Sequence, residues 1–179
     1  MSHRIKVFPH NDLFNLAHYQ REVINKKIAD GVGDALSMDC MGCVISLAFT
    51  VEALVNFIGA YCIEGWKERQ PYKGKIKQVC EVAGFEFVKE NEPYRTIWKL
   101  KEIRDDIAHG KPLEFDVSVE SREELRELME CSWDKCLSVE FVDQAYDAVK
   151  NFETTLFSKC EIPVCETLTA AIRLPVRGV

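Results

Sequence analysis

Between Cys40 and Ile63 runs a stretch of 24 residues in which Glu52 is the only formal charge. A stretch of about 20 apolar residues is long enough to cross a bilayer. A carboxylate near its middle, one turn before Asn56, is costly there, and neither a second span nor an aromatic belt accompanies it. The alternative place for so apolar a helix is the centre of a bundle, with other helices laid against its sides. A central core helix from about Ser37 to Trp66, with no membrane involved, is therefore the expectation from which the rest follows.

The flanking segments carry helical periods that could cover it. Asn11-Asp12 offers an N-cap, and Leu13, Leu16, Ala17, Val23, Ile24 and Ile28 recur at three- and four-residue steps until Gly31-Val32-Gly33. Pro71 to Val82 reads as a short basic helix ending near Gly84. Pro93 stands near the first position of the next helix, whose stripe is Tyr94, Ile97, Leu100, Ile103, Ile107 and Ala108 and whose end is Gly110-Lys111-Pro112. Ser121-Arg122-Glu123-Glu124 is a capping box that starts a helix to about Cys131, and Phe141, Ala145, Val149, Phe152 and Leu156 mark a last one over about 139–158. Leu113, Phe115, Val117 and Val119 alternate with polar residues, so one short β-strand is expected near 113–119, without an evident partner. The expected architecture is an all-α, up-and-down bundle of about five helices. It forms a single domain over 1–179, with a core of about 10–158 and a C-terminal extension over 159–179 that contains Pro163 and Pro175 and could add one more helical turn.

Apolar residues at 47% and charged residues at 29% are the balance of a folded chain. The net charge of −6 argues against coating nucleic acid through the whole surface, but residues 67–111 carry 11 Lys/Arg against 8 Asp/Glu, leaving the remainder at −9. A polyanion would choose that middle segment. Met1–Lys6 is polar and basic with no apolar run after it, so the eight cysteines are expected as free thiols packed as small hydrophobes in a reducing cytoplasm. Cys40-Met41-Gly42-Cys43 could furnish half of a zinc site or a redox pair, but no histidine lies near any cysteine pair, and no metal or cofactor is expected. Nucleotide-loop, zinc-protease and nucleophile-elbow signatures are absent from the sequence.

The words that carry chemistry are Ile103-Arg104-Asp105-Asp106-Ile107-Ala108-His109-Gly110, at the end of an amphipathic helix. An arginine, four residues and a histidine in that setting resemble the motif of the HEPN family. The apolar segment Ser46 to Asn56, with Glu52 among small and apolar residues, is similar to the second helix of many of its members. The resemblance covers about residues 10–158. It implies a metal-independent endoribonuclease that acts as a homodimer, the motifs of two protomers lining one cleft, and leaves a 2′,3′-cyclic phosphate and a 5′-hydroxyl. It also suggests phage defence or a toxin role, with an antitoxin or regulatory protein as a further partner. Two positions after the histidine, where some members carry a tyrosine that a partner nucleotidyltransferase adenylylates, this chain has Lys111.

The chemistry can be argued from the residues alone. Cutting RNA without a metal requires taking a proton from the 2′-hydroxyl, giving one to the 5′-oxygen, and stabilising a phosphorane of added negative charge. An imidazole can do the first two, and a guanidinium can fork two N–H donors onto phosphate oxygens. On a straight helix five residues put Arg104 and His109 about 140° apart, so they do not converge within one chain. Asp105, four residues before His109, is the expected carboxylate to orient its ring. Arg104 falls on the stripe that should be buried and needs a partner, for which Glu52 is the natural candidate, with Asn56 a turn further on. The expected catalytic set is Arg104, His109, Asp105 and Glu52, with Asn56, Lys101 and Lys111 facing the substrate. For Glu52 a buried ion pair that fixes helix register is an equal reading, and an isolated His109 would read as a cap on the helix dipole. Two other descriptions fit the same residues: a non-catalytic HEPN-like module that binds RNA or a protein, and a helical interaction protein in which Glu52 and Arg104 only register the bundle.

Overall fold

The computed structural model describes residues 2–174, so Pro175 to Val179 of the expected extension lie outside the described residues. The protein is an all-α helical bundle with one small two-stranded sheet. Its elements in chain order are β1 (His3–Lys6), α1 (Pro9–Ala29), α2 (Leu36–Cys62), α3 (Tyr72–Val82), α4 (Tyr94–His109), α5 (Arg122–Met129), α6 (Val139–Lys159) and β2 (Ala170–Arg173), with single 3-10 turns at Asp134–Cys136 and Val164–Glu166.

The apolar stretch is α2, and it is the central helix. It packs along α1 and against α3, α4 and α6, and Val44, Leu47, Val51, Leu54, Val55 and Ile58 have no solvent exposure. By length and composition α2 could cross a membrane, but its apolar residues are spent on the core instead. Ile24 from α1, Ile97 and Leu100 from α4, and Val149, Phe152 and Leu156 from α6 complete one contiguous core. Each large side chain so buried contributes about 1.5–3 kcal/mol. Gly59, near the end of α2, makes room for Trp66. A Cβ there would lie 2.3 Å from the indole, so the ring can fold back over the helix only because this position is bare.

Helix ends follow local chemistry. α1 begins earlier than the Asn11-Asp12 signal indicates, because Pro9 occupies the first helical position, where its missing N–H costs nothing. α3 closes on Gly84 at φ +74°, with the Phe85 N–H donating to the Cys80 carbonyl and the Gly84 N–H to that of Glu81, which is the Schellman arrangement. Ser121 accepts from the Glu124 N–H at 3.1 Å to start α5, as its capping box predicts.

One expectation needs correction. Residues 113–119 form no strand: the segment is irregular, with Leu113 85% exposed and Phe115 58% exposed. Alternation supplies a face but not a ladder, and among the described residues no neighbouring strand takes its backbone groups. The sheet lies instead between the two ends of the chain. β1 and β2 pair antiparallel with His3 opposite Arg173 and Lys6 opposite Ala170, so the C-terminal extension contributes a strand as well as its 3-10 turn.

Candidate functional site

α2, α3 and α4 meet at a small group of charges. Glu52 projects from α2 where the apolar sequence is interrupted, and its two carboxylate oxygens serve two different helices. Oε1 accepts from Lys75 Nζ of α3 at 2.7 Å, and Oε2 accepts from Arg104 Nη1 of α4. Lys75 is only 2% exposed and also donates to Asn56 Oδ1 at 3.2 Å, one turn along α2 from Glu52. The Arg104 guanidinium then turns to its own neighbour, with Nε and Nη2 donating to Asp105 Oδ1 at 3.1 and 2.7 Å. Asp105 Oδ2 accepts from Lys101 at 2.7 Å, closing a chain of three cations and two carboxylates. The guanidinium carbon also stands 5.5 Å from the Tyr72 ring centre and 6.0 Å from that of Phe49.

The charges tune one another. Burial by itself would raise the Glu52 carboxyl, but the Lys75 hydrogen bond and the Arg104 charge outweigh it and hold the group below the ordinary carboxylate range. Asp105 is lowered in the same way, its desolvation outweighed by hydrogen bonds from Lys101 and Arg104. Desolvation works against the charged form of Arg104, yet Asp105 and Glu52 more than offset it and raise its pKa. A guanidinium has five N–H donors, and the described contacts engage three of them.

His109 is the last residue of α4 and is exposed. It lines a separate depression of about 1140 Å³ with Asp105, Asp106, Lys111, Leu113, Leu128 and Trp133 among its walls. Ser132 Oγ donates to Asp106 Oδ2 at 2.8 Å, tying the far side of that depression to the end of α4. Gly110 leaves the helix at φ −55°, and a Cβ there would come 2.8 Å from the Asp106 carbonyl.

The structure thus brings together Arg104, Glu52, Asn56, Asp105 and Lys101, and leaves His109 and Lys111 in the adjoining depression. Asp105 touches both. Asp105 was expected to orient His109; its described hydrogen bonds are instead with Arg104 and Lys101, one oxygen to each. The i,i+4 spacing permits the histidine contact, but two cations within reach on the same helix compete for the carboxylate more strongly. Lys101 and Asn56, expected to face substrate, are likewise engaged, by Asp105 and Lys75. Lys75 was not among the expected residues. It could have been found from its place on the α3 stripe with Ile76, Val79 and Cys80, since a lysine there must be buried and must seek Glu52, the one carboxylate in the apolar stretch of α2.

Among the described residues no group of three or more His, Cys, Asp or Glu side chains is placed to hold a metal ion. Cys40 and Cys43 lie a turn apart on the buried face of α2, and burial pushes the Cys43 thiol up to about 12, away from the thiolate that metal binding and redox exchange use. No family model, curated protein or solved structure matches the chain.

Proposed function

We propose that the protein is a metal-independent endoribonuclease of the HEPN type, working in the cytoplasm as a homodimer whose two motifs share a cleft. The observation that carries this reading is a guanidinium fixed by two carboxylates at the end of α4, within two helical turns of an exposed histidine on the same helix. Arg104 supplies a positive charge whose position is determined before substrate arrives, which is what stabilising a phosphorane requires. His109 is accessible to a ribose. In the reaction the 2′-oxygen attacks phosphorus while its proton passes to one imidazole. The bond from phosphorus to the 5′-oxygen breaks, and that oxygen takes a proton from the second histidine of the shared cleft. The products are a 2′,3′-cyclic phosphate and a 5′-hydroxyl. Glu52, Lys75 and Asn56 act through Arg104 and are positioning residues, and Lys111, which shares the depression with His109, would meet phosphate. Defence against phage, or a toxin under an antitoxin's control, is the setting this reading suggests.

Two observations favour a second reading. Most N–H groups of Arg104 already have protein partners, and the depression at His109 has apolar walls, which suits a non-catalytic module that takes a protein or RNA there. Single-stranded RNA and an all-DNA copy of it, incubated with the protein in excess EDTA, separate the two. The nuclease reading expects cleavage of RNA alone, with cyclic-phosphate ends. Intact RNA recovered from a folded dimer would leave the binding module.

A further inference from the structure

The chain has three tryptophans, and two of them pack on the core: Trp66 over Gly59, and Trp133 beside Gly110. Trp98 does not. It is half-buried on α4, and what surrounds its ring is chiefly cationic and aromatic: Lys101 Nζ at 5.6 Å and Lys89 Nζ at 6.0 Å from the ring centre, with the Tyr72 ring at 6.2 Å and the Phe87 ring at 6.4 Å. Trp98 is thus a half-buried ring on α4, bordered by two lysines and left out of the core.

Its position connects it to the candidate site twice over. Tyr72 stands between it and Arg104, contacting the Trp98 ring on one side and the guanidinium on the other. Along α4, Trp98 and His109 are eleven residues apart, which is close to three whole turns, so they share one face about 16 Å apart along the axis. Lys101 and Asp105 fall on the same stripe between them. Trp98 also forms the common edge of two surface depressions of about 570 and 490 Å³. Lys73, Lys77, Arg95 and Lys99 line them, opposed by Glu81, Glu86, Glu90, Glu92 and Glu102. The charge of these walls is balanced overall, so what distinguishes the place is the aromatic face with two ammonium groups on it.

Resting on the RNA reading above, we propose that Trp98, flanked by Lys89 and Lys101, is a stacking platform for a nucleobase a few nucleotides from the phosphate cut at His109. Every base has a π-face, so the platform accepts any of them, and Lys89 meets the backbone beside it while Lys101 stays paired with Asp105. The ligand class is single-stranded RNA lying along α4 from Trp98 to His109.

The test uses full-length His109→Ala protein, which would hold RNA without cutting it, and a labelled 12-nucleotide RNA followed by anisotropy. Adding Trp98→Leu is expected to raise Kd about tenfold, within the range for loss of one stacked base, while Trp98→Phe retains most of the affinity. Abasic RNAs with the gap moved one position at a time leave the tryptophan in place, so this arm does not depend on how the Trp98 variant folds. One gap position is expected to lose a similar factor, and to lose nothing further against Trp98→Leu. RNA bound equally well by Trp98→Leu, with no sensitive gap position, overturns the platform and leaves the nuclease reading standing. RNA not bound by the His109→Ala protein at all overturns both.

Discussion

The crossing of α2, α3 and α4 and the excursion from Gly110 to Leu137 invert each other. At the crossing, charges are buried or half-buried and every one has a partner; in the excursion, apolar side chains are exposed and few have any. α5 contains no buried residue, with Leu125 41%, Leu128 46% and Met129 73% exposed, although its helical stripe is as regular as that of α4. The lesson is that periodicity sets what an element can bury, while contact decides what it does bury. α4 lies against α2 and α6, whereas α5 packs substantially against no other helix.

The sharpest way to break the comparison is at Glu52. Glu52→Ala would leave Lys75 buried with only Asn56 and would remove one of two partners of Arg104, so a loss of about 3–5 kcal/mol in urea unfolding is expected. Lys75→Met keeps the Glu52–Arg104 pair and is expected to cost about 1 kcal/mol or less. Equal losses from the two variants would show that the cluster is not organised around its carboxylate.

His10 combines the two conditions, being buried like Lys75 and unpartnered like the leucines of α5. Its ring is stacked on Phe57 at 4.5 Å, and both nitrogens lack a hydrogen-bond partner within the described protein. Burial lowers its pKa to about 4, against a weaker opposing pull from Asp12. The unfolded chain takes up this proton near pH 6.5 and the folded chain only near pH 4. Stability should therefore fall as pH drops through that window, by a total of about 3 kcal/mol, and level off below it. His10→Phe should flatten the limb between pH 6.5 and 4.5, before the depressed carboxylates of Glu52 and Asp105 begin to titrate. A melting curve series with an unchanged acid limb would contradict the assignment.

The smallest effect is expected in the excursion. Leu128→Ala should change stability by no more than about 0.5 kcal/mol, since the side chain loses little burial. A loss several times larger would mean that the face is covered in solution.

Much of the bundle could be read from sequence because its helices carry both a period and a terminator: Ser121 before α5, Gly84 after α3, Gly110 after α4. The Glu52–Arg104 pair was legible for a different reason, since a lone carboxylate on an apolar helix and an arginine on a buried stripe each demand a partner. Legibility stopped where the answer depended on something distant or competitive. The partners of β1 lie at the other end of the chain, and four-residue strands carry no period. The alternation at 113–119 looks like a strand only until one asks what it pairs with. Asp105 had three cationic or imidazole neighbours in reach, and spacing alone could not say which would hold it.

The central claim is that Arg104 and His109 belong to one RNA-cutting site. Its most direct test is the single-turnover cleavage rate of a defined single-stranded RNA in EDTA, for wild type and for His109→Ala, with the two melting temperatures matched. The account predicts cyclic-phosphate products from wild type and a rate lower by at least a hundredfold in the variant, the lower end of what general acid–base catalysis contributes. Equal rates, or products bearing 5′-phosphates, would contradict it.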